Sequence, residues 1–401
     1  MNTMIELQDT ADDPANDPIV RAQNLVALLQ EAGPAIDVNR GLTPDVVEAV
    51  HAARMIRVML PTYLGGDSLD LRRFAEVIEI IATGDASTAW CTCQGSGCAM
   101  SSAFLDPAAA KRLFGPADAV LAWGAGVQGK AVAVEGGYLV TGKWQFASGS
   151  RHATLLGGHS WVFEADGETP RRHANGKRAD RTALFAREKA TVHDVWNTLG
   201  LRGTGSDTFE VQDLFVPADE TVDRAAQDEL TDFAPIYRIP SSLVYSIGFA
   251  ALQIGVARAQ LDNLRELATK KLPRGGKSVL CESPVFQTQL AQLHGRLRAI
   301  RAYLHQVAEE TYGEARDTGA LSLEGRISIR LAATHIINEG VAITTDGYRM
   351  AGATAIFPEN KFERRLRDAL TASQQVQGRI DHFETVGRHL LDLAPDSNMF
   401  L

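Results

Sequence analysis

AVLAWGAGVQGKAVAVEGGYLVTGKWQFASGSRHATLLGG (Ala119–Gly158) and WNTLGLRGTGSDTFEVQDLFVP (Trp196–Pro217) form the stretch on which the reading of this chain turns. Short β-patterned runs, Ala131 to Val134, Tyr138 to Thr141 and Phe209 to Phe215, are separated by glycine turns such as Gly136-Gly137. Strands and hairpins are punctuated in this way. Lys143-Trp144-Gln145-Phe146-Ala147-Ser148-Gly149-Ser150 sets bulky rings beside small and hydroxyl-bearing residues. A flat aromatic ligand can stack on such rings while hydroxyl and backbone groups reach its polar edge. The stretch predicts a small β domain with helical sequence on either side.

Working outward, the helical pattern begins near Pro18. Arg21 to Ala32 carries apolar residues at helical spacing, and Gly33-Pro34 predicts its end. Thr43-Pro44 predicts the next start, with Thr43 as N-cap. Met59 to Gly66 reads as a loop, Leu71 to Thr83 and the segment from Asp85 as helices, and Pro107 to Leu113 as a short last one. Beyond Pro217 a linker runs to Pro240, followed by helices over Ser241–Lys270, from Ser283-Pro284, over about Ser322–Tyr348 and over about Pro358–Leu391. Phe286, Leu290, Leu293, Leu297, Ile300, Leu304 and Val307 mark a bundle seam. These boundaries give a disordered lead-in (1–17), an N-terminal helical domain (18–117), a middle β domain (118–232) and a C-terminal helical bundle (233–401).

The 401 residues are 45% hydrophobic and 22% charged with net charge −9, ordinary globular values for two or three domains. No basic cluster has the concentration of a nucleic-acid footprint. The acidic, proline-containing N-terminus is unlike a secretory or mitochondrial signal, and the apolar run Leu243 to Ala257 is too short to span a bilayer. A soluble, cytoplasmic protein is expected, with neither nucleic acid nor membrane as partner. Four cysteines make no disulfide framework, and Cys91, Cys93 and Cys98 lack zinc-finger spacing, so no metal is expected.

Two motifs mislead. Gly124 to Gly129 matches G-x-G-x-x-G, but a dinucleotide fingerprint needs a helix directly after it, and Lys130 to Gly137 reads as strand and turn. Ser148 and Ser150 near His152 suggest a hydrolase, yet G-x-S-x-G is absent. His382 and His389 lie seven apart on one helical face and read as packing or surface residues.

Several motifs in fixed order carry a family resemblance: Leu60-Pro61 with Gly65-Gly66, Ser87-Thr88-Ala89-Trp90, Gly142 to Gly149, Leu199 to Ser206, Val216-Pro217, Gly352-Ala353, and Arg364 with Arg367-Asp368. Over roughly Arg21 to Leu391 the chain resembles the acyl-CoA dehydrogenase superfold. Within it the chain is similar to the flavin-dependent monooxygenase branch, the oxygenase components of two-component systems. The resemblance implies a mainly α fold with a central β domain (barrel or sandwich) and a C-terminal four-helix bundle, assembled as a homotetramer. It implies reduced FMN, ahead of FAD, supplied by a separate NAD(P)H-dependent flavin reductase. Trp123 and Gly124 would border the isoalloxazine, Phe146, Ala147 and Ser148 would line its edge near N5, and Trp196 would add to the wall.

The chemistry turns on what is missing. A dehydrogenase needs a carboxylate to remove an α-proton. By the resemblance it would stand near Val376 or near Ser241-Ser242, where there is no acid, and the Arg-x-x-Phe-Gly element that contacts the flavin pyrophosphate is also absent. An oxygenase instead shelters a C4a-hydroperoxide made from reduced flavin and O2, for which a neutral hydroxyl such as Ser148 in a dry pocket is suited. Phenol-hydroxylating relatives carry histidines that match Gln375 and Cys98 here. Glutamine is not a general base, so a substrate already nucleophilic (an indole, a thioether, an amine) fits better than a phenol. Ser148 and Gln375 are the candidate catalytic residues, and Trp90, Cys98 and Gln375 the candidate substrate pocket. Asp381 and Glu384 lie further along the same helix. The alternatives are a dehydrogenase or oxidase with a relocated base, and a non-catalytic flavin-binding paralogue.

Overall fold

The computed structural model describes residues 14–223 and 226–394. Most of the expected lead-in lies outside them; residues 14–16 form a single 3-10 turn, and Asp17 caps the first helix by accepting from the Ile19 N–H. The N-terminal layer is α1 (Pro18–Asn39), α2 (Pro44–Ala52), α3 (Leu71–Gly84), α4 (Ala86–Ala99) and α5 (Pro107–Phe114). Asp70, Asp85 and Asp106 start three of these helices by accepting hydrogen bonds from first-turn backbone N–H groups.

α1 runs straight through the expected stop at Gly33-Pro34. An internal proline removes one hydrogen bond, whereas Leu25, Leu29 and Ile36, all buried, hold the helix to the core on both sides of it. Gly33 is there for packing: a Cβ would lie 2.2 Å from the Arg364 guanidinium.

The middle domain is one eight-stranded sheet: β1 (Leu121–Trp123), β2 (Gly129–Val134), β3 (Gly137–Ala147), β4 (Leu155–Phe163), β5 (Asp180–Ala186), β6 (Thr191–His193), β7 (Asp207–Pro217) and β8 (Thr221–Val222). The order is β6-β7-β3-β2-β4-β5-β8, with β1 also on β4. The β1–β4 and β2–β4 pairs are parallel and the rest antiparallel. Gly136, at φ +78°, closes the two-residue β2–β3 turn. Trp144, fully buried, centres the sheet core, stacking on Phe209 at 5.2 Å and tilting towards Phe185. The G-x-G-x-x-G run leads into β2 and not into a helix.

The C-terminal helices are α6 (Ser241–Lys270), α7 (Pro284–Thr318), α8 (Leu323–Ala351), α9 (Phe362–Ser373) and α10 (His382–Leu390). Ser283 caps α7 with Pro284 behind it, and the seam residues of α7 face inward, Leu290 only partly. α6 is long and apolar enough to cross a membrane, but 89% of its most apolar window is buried among the other helices. Buried Glu79 on α3 accepts from Arg301 of α7 through both oxygens, tying the bundle to the N-terminal layer.

The last expected helix, 358–391, is interrupted. α9 ends at Ser373, Gln375 turns extended, and Val376–Gly378 make a 3-10 turn before α10 begins. The Gln375 side chain accepts from the Gln377 N–H, a local bond that competes with the helix ladder. Gly378 presses against α8, where a Cβ would meet Ile337 at 2.8 Å, and its carbonyl accepts from Asn338. The break brings four consecutive residues, Gln374 to Gln377, to the wall of one cavity.

Candidate active site

β3 ends in an irregularity: its register with β7 shifts between Trp144 and Ala147. Phe146 sits at this bulge with φ +62°, a conformation costing a non-glycine residue about 1–2 kcal/mol. The effect is to swing its ring out of the sheet, 57% exposed, edge-on to Trp196 at 6.2 Å. Backbone strain that presents an aromatic side chain to a cavity is characteristic of ligand sites.

Trp196 is held from both sides. Its backbone N–H, like that of Val195, donates to Asp207, a buried carboxylate paired with Arg151 at 2.7 Å. Its indole N–H donates to the Leu201 carbonyl at 2.9 Å, and the Leu201 N–H donates to Asp368 at 2.6 Å. Burial, then the nearby Asp85, pushes the Asp368 carboxyl up to about 7. The 194–206 loop is therefore pinned to the sheet at one end and to α9 at the other.

Between these elements lies a cavity of about 480 Å³. One side is aromatic: Trp90 on α4 stacks on Phe249 of α6 at 4.0 Å, and Phe249 stacks on Tyr245 at 6.0 Å. Trp123, Phe146 and Trp196 line another part, and Gln94 and the Gln374–Gln377 turn supply neutral amides. Among the described residues neither Asp, Glu, Lys, Arg nor His lines it, and Tyr245 is its one titratable side chain. Across Phe146 and Trp196 a second hollow of about 420 Å³ adds Lys143, His193, Thr198 and Thr208 and shares Ser206.

A line of hydroxyls runs along the cavity wall. Trp90 Nε1 donates to Ser148 Oγ at 2.9 Å; Ser148 Oγ and Ser206 Oγ are 2.7 Å apart, as are Ser206 Oγ and Thr204 Oγ1; and Thr204 Oγ1 donates to the Leu201 carbonyl at 2.9 Å. All three hydroxyl residues are buried.

Of the residues singled out from the sequence, Trp90, Trp123, Phe146, Ser148, Trp196 and Gln375 meet at this cavity. Three do not line it. Cys98 is fully buried with Sγ 3.5 Å from the Tyr245 hydroxyl, so tyrosine takes the place given to it. Gly124 packs on Trp144, where a Cβ would sit 2.5 Å from the Trp144 Cβ, and Ala147 is buried in the β3–β7 pairing. Both serve the sheet. Asp381 is exposed and paired with Arg379, and Glu384 is exposed; neither reaches the lining. Ser150 donates to the Gly205 carbonyl, and burial lowers the His152 imidazole to about 4, so no Ser–His pair forms. Among the described residues no cluster of His, Cys, Asp and Glu is placed to hold a metal.

Sequence reading missed Tyr245 and Phe249, which looked like members of a plain apolar run, and assigned no role to Thr204 and Ser206. Only the fold shows that Ser148 and Ser206, 58 positions apart, touch.

The residues present fit a flavin. Aromatic rings and uncharged hydrogen-bonding groups border one hollow, and the strained, exposed Phe146 stands at the joint with a second, more polar one. The Nε2 of Gln375 is a buried donor without a partner among the described residues, and an acceptor on a bound ring system would satisfy it.

The comparisons agree. The family model for the acyl-CoA dehydrogenase C-terminal domain matches residues 247–377. An indole-3-acetate monooxygenase of Acinetobacter baumannii is 29% identical over 385 residues, 93% of each chain. The flavin-dependent monooxygenase oxygenase subunit HsaA of Rhodococcus jostii is 25% identical over 362 residues, 87% of this chain and 91% of that one. The structure of the dibenzothiophene monooxygenase TdsC of Paenibacillus sp. A11-2 with FMN and indole superposes with TM-score 0.80 at 20% identity, covering 96% of this chain and 99% of that one. The fold is that of the acyl-CoA dehydrogenases. Within it, the chain is a flavin-dependent monooxygenase, an oxidoreductase that works with reduced flavin.

Proposed function

We propose that this chain, as the oxygenase component of a two-component system, oxygenates an electron-rich aromatic heterocycle of the indole type with reduced FMN or FAD delivered by a separate reductase. The single observation that carries this reading is the neutrality of the cavity: a wall of stacked rings and amides in which, among the described residues, a tyrosine is the one titratable group. Removing a carbon-bound proton, or ionising a phenol, requires a base in reach. An indole carbon is nucleophilic without deprotonation. The A. baumannii relative is named for an indole substrate and the TdsC complex holds indole, which supports the same class here.

When bound, reduced flavin supplies the activation of O2. The chain supplies the rest. Trp123, Phe146 and Trp196 offer faces and edges to stack on, and Ser148 Oγ is assigned to the flavin N5 edge. Trp90, Phe249 and Tyr245 exclude water and take up a planar substrate, and Gln375 Nε2 donates to a polar atom of the bound molecule. A homotetramer is the proposed assembly; the exposed Ile356 and Phe357 between α8 and α9 are apolar surface of the kind subunit contacts cover.

The test is aerobic turnover with FMNH2 or FADH2 and a panel of indole-3-acetate, indole, phenols and thioethers. Product from the indoles with little from the phenols is expected. Preferential phenol hydroxylation, or bleaching of oxidised flavin by an acyl-CoA without any reductase, overturns it.

A further inference from the structure

The hydroxyl line has a fixed direction. Indole Nε1 can only donate and a carbonyl can only accept, so the two ends, Trp90 and Leu201, are polarised before any hydroxyl is placed. Each of Ser148, Ser206 and Thr204 has one proton. Four contacts of 2.7–2.9 Å are all satisfied by one arrangement alone: Trp90 donates to Ser148, Ser148 to Ser206, Ser206 to Thr204, and Thr204 to the Leu201 carbonyl. Reversing the Ser148–Ser206 bond leaves either the 2.7 Å Ser206–Thr204 contact or the 2.9 Å Thr204–Leu201 contact as two oxygens with no proton between them, although the Leu201 carbonyl itself also accepts from Trp196 Nε1 and the Thr204 N–H. Neighbouring bonds of one direction strengthen each other in a buried setting.

We propose that Ser206 and Thr204 are positioning residues that commit the Ser148 proton to the wall, so that Ser148 meets the cavity only as an acceptor and the site selects reduced over oxidised flavin. Reduced flavin carries N5–H, a donor; oxidised flavin has a bare N5 lone pair, an acceptor. With one Ser148 lone pair taken by Trp90, the other suits N5–H and faces the lone pair of the oxidised ring unfavourably. The inference rests on the assignment of Ser148 to the N5 edge.

Ser206→Ala or Thr204→Val breaks the line on the far side of Ser148. Either frees the Ser148 proton to turn into the cavity and donate to oxidised N5. Anaerobic titration of each variant with FMN and with FMNH2 (FAD and FADH2 in parallel) gives both dissociation constants, and the potential of the bound flavin gives their ratio independently. The expected result is a reduced-over-oxidised preference in the wild type that falls about tenfold in both variants, through tighter oxidised binding, the scale of one hydrogen bond gained. For a two-electron couple that is a drop of about 30 mV. Ser206→Thr and Thr204→Ser keep the preference, which separates proton direction from a packing defect. Ser148→Ala lowers the ratio differently, by weakening reduced binding.

An unchanged ratio in Ser206→Ala and Thr204→Val alongside a changed one in Ser148→Ala overturns the positioning role and leaves the N5 assignment standing. An unchanged ratio in all three removes both. Two differently placed variants, each checked by circular dichroism, keep the test decisive where one fails to fold.

Discussion

The indole N–H of Trp90 donates to the hydroxyl of Ser148 across 2.9 Å, joining the N-terminal helical layer to the turn that directly follows β3. The same indole lies flat on Phe249, so one side chain ties together α4, the sheet and α6. The hydroxyl assigned to flavin and the slot assigned to substrate are thereby held by a common residue. Movement of any of the three bodies changes both at once.

Ser148→Ala removes the acceptor assigned to N5 and leaves Trp90 Nε1 without a partner. Loss of one hydrogen bond at the reacting edge is worth on the order of 1–1.5 kcal/mol, roughly tenfold in a rate. The expected outcome is more H2O2 released per reduced flavin consumed, with product falling accordingly. An H2O2-to-product ratio equal to that of the wild type removes Ser148 from the flavin edge.

Gln375→Ala removes a buried donor aimed at the cavity and the acceptor that caps the 376–378 turn. Substrate KM is expected to rise about tenfold, on the scale of one hydrogen bond, while the reduced-flavin Kd changes much less. The reverse order places the amide at the flavin.

Gly97 on α4 backs Tyr245: a Cβ there would lie 2.3 Å from the ring. Gly97→Ala must therefore push Tyr245 towards the cavity, with an overpacking cost of about 1–3 kcal/mol. A shift in relative kcat/KM from bicyclic towards smaller rings is expected across a substrate series. Uniform loss across the series indicates damage to the fold alone.

Asp368, whose ordinary carboxyl pKa of 3.8 is pushed up to about 7, holds its proton more tightly folded than unfolded. Its contribution to stability is complete below the unfolded pKa and is lost as pH rises through about 7. Asp368→Asn keeps an oxygen to accept from the Leu201 N–H and abolishes the titration. The difference in Tm, wild type minus variant, is expected to fall between about pH 5 and pH 8. A constant difference means the carboxyl is charged throughout.

Much of this was legible in the chain. Glycine turns and alternating runs gave the β domain, caps such as Asp85 and Ser283-Pro284 gave helix starts, and the Gly142–Gly149 run gave Phe146 and Ser148. What was hidden depends on contacts distant in sequence. Pro34 reads as a stop because its local cost is visible and the packing of Leu29 and Ile36 is not. The break at Gln375 arises from a side-chain bond to Gln377 N–H and from Gly378 meeting α8. Cys98 and Tyr245 are 147 positions apart, and only the packing of α4 on α6 shows which of them reaches the cavity.

The most direct test of the central claim, an uncharged cavity that serves oxygen transfer, is a single turnover of the FMNH2-loaded protein with 18O2 and indole-3-acetate, followed by mass spectrometry. One 18O atom in the organic product is the result this account requires. Complete return of the oxygen as H2O2, with the indole untouched and every other indole, phenol and thioether of the panel likewise, contradicts it.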